Sequence, residues 1–99
     1  MGDRHDPYEA QAEQRREEVK KAAEREIDDL RWLMSEERGR RIVWRLLERS
    51  MIFQPSFSSD ALVMSFNEGR RRLGLEIMEI MSPDMYHEML KEHKENGKR

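Results

Sequence analysis

Residues 60–84 read DALVMSFNEGRRRLGLEIMEIMSPD, and their pattern decides the fold class. Leu62, Phe66, Gly69, Leu73, Ile77 and Ile80 follow one another three or four residues apart. At about 100° per residue, that spacing draws one face of an α-helix. Ser58 or Ser59 offers a cap for a helix starting at Asp60. At the far end, Ser82-Pro83-Asp84 supplies a capping hydroxyl, a proline at the first helical position and an acid in the first turn. The stripe predicts the inner face of a packed helix. Gly69 lies within it and predicts a close crossing, because no side chain holds a neighbour off.

Downstream, Met85, Met89 and Leu90 continue as a last helix that closes at Glu95-Asn96-Gly97. Upstream, residues 54–59 form a turn-rich loop pinned by Phe53 and Phe57. Before it, Ser35 is an N-cap followed by Glu36 and Glu37 at the positive helix end. On that helix Ile42, Val43, Leu46 and Leu47 share the side expected to face inward. From Tyr8 to Met34 nothing breaks a helix, with Asp6 as cap and Pro7 as its first residue. Its apolar stripe starts late, at Val19, Ala23, Ile27, Leu30 and Met34. The C-terminal half should therefore dock while the N-terminal half projects.

The expected fold is all-α, a small helical cluster of about four helices with a long, partly projecting N-terminal helix. Residues 1–26 are read as a charged helical arm opening on a flexible start, 27–94 as the helical core domain, and 95–99 as a disordered tail. Composition agrees with that division. Charged residues make up 40% of the chain, yet residues 30–90 carry 28 of its apolar side chains and residues 91–99 carry none. A core of about 60 residues is marginal alone, which points to self-association or a partner.

Net charge is −2, so the whole molecule has no strong attraction for nucleic acid or anionic lipid. With no cysteine, disulfides and thiolate chemistry are absent, and a reducing cytosol is the natural compartment. No apolar run approaches the roughly 18 residues that would suggest a membrane span.

Two stretches carry a resemblance. Arg31-Trp32-Leu33-Met34-Ser35-Glu36-Glu37-Arg38-Gly39-Arg40-Arg41 is one. Phe66-Asn67-Glu68-Gly69-Arg70-Arg71-Arg72-Leu73-Gly74-Leu75, followed by Ser82-Pro83-Asp84-Met85-Tyr86, is the other. In this order and spacing they resemble a family of short proteins of tailed phages, typified by one from a podovirus of Bordetella. The likeness covers roughly Asp29 to Met89 and leaves out the N-terminal arm. It implies a phage gene product of the structural or assembly module, and it brings no activity, cofactor or binding residue with it.

Candidate sites are few. His87 and His93 stand six apart and do not share a helix face, unlike an i,i+4 ligand pair. Asp84, Glu88 and Glu92 do share one, the pattern of an ordinary solvated edge. No nucleophile or phosphate-binding loop is recognisable, so the expectation is that the protein is no enzyme and uses no cofactor, metal or small molecule. Arg70, Arg71 and Arg72 splay round their helix. Arg70 reads as a core-edge arginine held by a carboxylate such as Glu68.

Arg38, Arg41, Arg45 and Arg49 lie within about 80° of arc and could follow phosphates. The alternative is pairing with the acidic N-terminal helix through Glu26, Asp28 or Asp29, and that pairing is favoured. Trp44 falls on the wheel between Arg40 and Glu48, away from Ile42, Val43, Leu46 and Leu47. It is covered by its own chain or is a partner contact, with internal cover the more frequent outcome in so small a domain.

The expected function is therefore a non-enzymatic, phage-encoded structural or assembly protein acting by protein–protein contact and associated with the virion. Trp44, Arg45, Arg41, Arg38 and Arg49 would bind the partner, which is a second copy or another phage structural protein. The alternative is a small nucleic-acid-binding or regulatory protein using the row from Arg38 to Arg49. No membrane partner is expected. The expected location is the host cytoplasm during assembly, and then the virion.

Overall fold

A computed structural model describes residues 6–97. They form four helices: α1 (Pro7–Met34), α2 (Glu37–Arg49), α3 (Ala61–Ile80) and α4 (Pro83–Asn96). The flexible start over residues 1–5 and the tail residues 98 and 99 lie outside the described residues. α4 runs through Asn96, past position 94 where the core was expected to close.

Local chemistry explains most helix ends. Asp6 accepts a hydrogen bond from the Tyr8 N–H at 2.9 Å, Asp60 from Leu62 at 2.9 Å, and the Ser82 hydroxyl from Met85 at 3.3 Å. Asp60 is thus the cap of α3 and not its first residue; Ser58 accepts from the Asp60 N–H one step earlier. Ser35 does not cap α2. It closes α1, its hydroxyl donating to the Trp32 carbonyl at 2.6 Å, and Glu36 precedes α2 without a side-chain cap. Ser50 is the C-cap of α2, followed by Met51 at φ 64°, a left-handed position usually given to glycine.

α2 is the hub, packing on α1, α3 and α4. Its inward face is rotated from the expected one. Gly39, Arg40, Val43, Trp44 and Leu47 are buried, whereas Ile42 and Leu46 are exposed. The indole is the largest single apolar side chain on the helix, and turned inward it is covered on both sides by Phe53 and His93. The buried core is small: Met34, Val43, Trp44, Leu47, Met81 and Met89, with Leu30, Leu33, Ile52, Ile77 and Met85 against it. Three of those six buried apolar residues are methionines, adaptable fillers that suit a core of irregular shape.

Further expectations are corrected on α3, on α1 and in the loop. α3 turns the first four positions of its apolar stripe outward and packs only the end, Ile77 and Ile80, part-buried: Leu62, Phe66 and Leu73 are 83%, 64% and 59% exposed, and an added side chain at Gly69 would meet nothing within 4 Å. The close crossing is at Gly74 instead. A Cβ there would fall 2.1 Å from Ser50 Oγ and 2.2 Å from Ile52 Cγ2, so α3 lies down on the turn that ends α2. Gly39 plays the same part beneath α1, where a Cβ would fall 1.9 Å from the Leu33 carbonyl oxygen. α1 docks through Leu30, Leu33 and Met34 only, leaving Val19, Ala23 and Ile27 exposed. Phe53 stacks on Trp44, but Phe57 stays in solvent and pins nothing.

The molecule is consequently long and thin, 72 × 38 × 17 Å, with a radius of gyration of 19.7 Å. A compact chain of this length would have about 13 Å.

Candidate contact surface

The strongest polar feature is a residue that sequence reasoning passed over. The Arg40 side chain reaches between three helices. Its Nε donates to both carboxylate oxygens of Glu92, at 2.9 and 2.8 Å, and Nη2 donates to Oε1. Nη1 donates to the Met34 carbonyl at 2.8 Å, satisfying one of the oxygens that the end of α1 leaves without a helical partner. Glu88 stands 3.7 Å away. The hydrogen bond to Glu92 holds the guanidinium above the ordinary arginine value; burial works against this, and the charges of Glu92, Glu88 and Glu37 add to it. Two of the carboxylates in the Asp84, Glu88, Glu92 row are thus turned toward an arginine. The only signal in the sequence was Arg40's place beside Trp44, one turn along the same helix.

Trp44 is covered by its own chain. It is 9% exposed, between Phe53 at 5.2 Å and His93 at 4.1 Å, both stacked close to parallel. Its indole N–H is buried and has no acceptor among the described residues. Beside it runs a groove of about 240 Å³ lined by Arg40, Arg41, Arg45, Glu92 and His93.

The arginine row does not reach the acidic helix. Arg38, Arg41, Arg45 and Arg49 are exposed. Arg41 pairs with Glu37 on its own helix at 3.5 Å, and among the described residues the other three make no ion pair. Asp28 instead pairs with Arg31, at 3.3 Å on α1. Arg70 is not held by Glu68. It donates to the Arg49 carbonyl and lies 5.4 Å from the Phe66 ring centre, while Glu68 accepts from Ser56.

The exposed tryptophan is Trp32, 71% accessible at the end of α1. With Leu33, Arg38, Arg41 and Ile42 it lines an open groove of about 490 Å³. One turn further along α2, Leu46 joins Arg49, Arg70, Leu73 and Ile77 around a second hollow of about 350 Å³. Leu73 opens onto the α3 stripe. An apolar track therefore runs from Trp32 over Ile42 and Leu46 to Leu73, Phe66 and Leu62, bordered by Arg38, Arg41, Arg49 and Arg70. Tryptophan and arginine are the types most often found at energetic centres of interfaces.

Among the described residues no group of three histidine, aspartate or glutamate side chains could hold a metal ion. No helix there is long and apolar enough to cross a membrane. A family described as Bbp19-like phage protein matches residues 30–91, from the docked last turn of α1 into α4. No curated protein and no solved structure matches the chain.

Proposed function

We propose, for a chain that belongs to the Bbp19-like phage proteins, a role carried by contact: a structural or assembly protein that works in the host cytoplasm while particles form and stays with the virion. One observation carries the reading. The most regular amphipathic pattern in the sequence, on α3, is left in water by its own chain from Leu62 through Leu73. A contiguous apolar track rimmed with polar groups is the ordinary mark of a protein-binding surface. The family match ends at the arm and covers the helices that build this track.

Mass spectrometry of purified virions and assembly intermediates tests the reading. The protein should be found in one or both at a fixed ratio to the capsid protein. Absence from both discards the structural role.

The bare arginine row favours a second reading, nucleic-acid binding through Arg38, Arg41, Arg45 and Arg49. It explains four side chains and leaves the apolar track unused. On that reading, affinity for duplex DNA falls steeply with salt, and replacing Arg38, Arg45 and Arg49 together by alanine lowers the slope of log K against log[salt] by about 2 to 3. An unchanged slope removes it.

A further inference from the structure

We propose that the free face of α3 seats a second copy of this chain, packed antiparallel to the first about a two-fold axis at the level of residue 71. The proposal rests on the contact reading above and names the partner.

The first argument is the spacing of the stripe itself. In an antiparallel pair, positions equally distant from residue 71 face each other. Gly69 then meets the exposed Leu73, Leu62 meets the half-buried Ile80, and Phe66 comes within one residue of Ile77, whose other side packs on its own core. A two-fold interface requires this reciprocity, in which residue i contacts j and j contacts i. The stripe is self-complementary in size as well. The open notch at Gly69, where nothing lies within 4 Å of an added Cβ, receives the exposed Leu73 of the other copy, and the same contact is made twice. Of the arginines at the level of the axis, Arg71 lies on the wheel opposite the stripe, Arg70 is turned onto the Arg49 carbonyl, and Arg72 is bridged to Glu76 on its own helix at 3.8 Å.

The second argument is area. At about 170 Å² for each large apolar residue, the exposed fractions of Leu46, Leu62, Val63, Phe66 and Leu73 amount to on the order of 500 Å² per copy. A standard interface takes about 800 Å² from each partner, slightly over half of it apolar. The free face is the right size for one such contact.

Sedimentation equilibrium of the full chain tests this. Wild type should be a dimer. Gly69→Leu, which has open space in the single chain, should keep its helical signal and melting temperature at low concentration. Yet it should weaken the dimer at least about 30-fold, as loss of an interface centre does. Leu73→Glu should do the same. The chain has no cysteine, so orientation can be read directly. Gly69→Cys and Leu73→Cys chains should cross-link when mixed and oxidised, and neither should cross-link alone, since like positions lie beyond the roughly 7 Å limit for a disulfide.

A monomeric wild type overturns the proposal, as does a dimer indifferent to both α3 variants. Cross-linking of either cysteine chain with itself overturns the antiparallel arrangement. If wild type is monomeric and Leu73→Glu removes the protein from virions, another phage protein occupies the face, and the contact reading survives without the dimer. If the protein is absent from virions and intermediates, the contact reading fails separately.

Discussion

Two positions in α2 and α3 show how much a single residue decides here. Arg40 ties the end of α1, the first turn of α2 and the last turns of α4 through one guanidinium. Arg40→Ala leaves the Met34 carbonyl and a largely buried Glu92 carboxylate without a donor. It should therefore cost about 3 kcal/mol in urea unfolding. Glu92→Ala should cost a similar amount, and the double variant distinctly less than the sum, because the two act as one unit. A loss below about 1 kcal/mol for Arg40→Ala would remove the clamp from the account. Gly74 is the second such position. Alanine there gains helix propensity but must push aside Ser50 and Ile52, for a net loss of about 1 to 2 kcal/mol. Gly69→Ala meets nothing and should gain up to about 1 kcal/mol. Equal effects at the two glycines would mean that α3 does not lie on the α2 turn as described. The sequence contains both glycines five residues apart, and nothing local tells a glycine pressed against a neighbour from one left open.

At the scale of helices, what could be read in advance was where they begin and end. Asp6-Pro7 and Ser82-Pro83 set their helix starts by hydrogen bonds within a few residues, and such chemistry is visible in the chain alone. Which side of a helix turns inward depends on the neighbours. α2 offered two apolar arcs, one with Ile42 and Leu46 and one with Trp44, sharing Val43 and Leu47. Phe53 and His93, far apart in sequence, decided for the second. α3 is the sharper case, since its stripe was read as a buried face and the single chain covers only its C-terminal end, at Ile77 and Ile80. For α1, docking begins at Leu30. Deleting residues 1–26 should thus leave the thermal melt of the remainder within a few degrees of the full chain. Deleting residues 1–34 removes Leu30, Leu33, Met34 and the carbonyl that Arg40 grips, and should abolish the cooperative transition. Matching melts for the two truncations would contradict the docking described.

Over the whole molecule, the class of fold and the family were legible because both rest on pattern: uninterrupted helical periodicity, and two motifs in fixed order. The candidate site was only partly legible. The arginine row was identified, but its exposure was not, because the expected partner helix runs away from it and keeps its charges to itself. Trp44 and Trp32 exchange the roles that a helical wheel suggests, one stacked inside and one in solvent. Among the described residues six apolar side chains are buried, the radius of gyration is 19.7 Å, and much apolar surface stays exposed.

The docked end of α1 has a mechanical consequence. Twenty-eight residues of unbroken helix make a rod of about 42 Å, held only at its last turn by Leu30, Leu33, Met34 and the grip of Arg40. Ser35 and Glu36 are the whole connection to α2. They form the fulcrum of a lever. A change of roughly 10° at that point sweeps the far tip through about 7 Å, on the 1.5 Å rise per residue of a helix. A displacement of that size exceeds the pitch of about 5.4 Å of an α-helix, so a small repacking around Arg40 would move the tip by more than one helical turn.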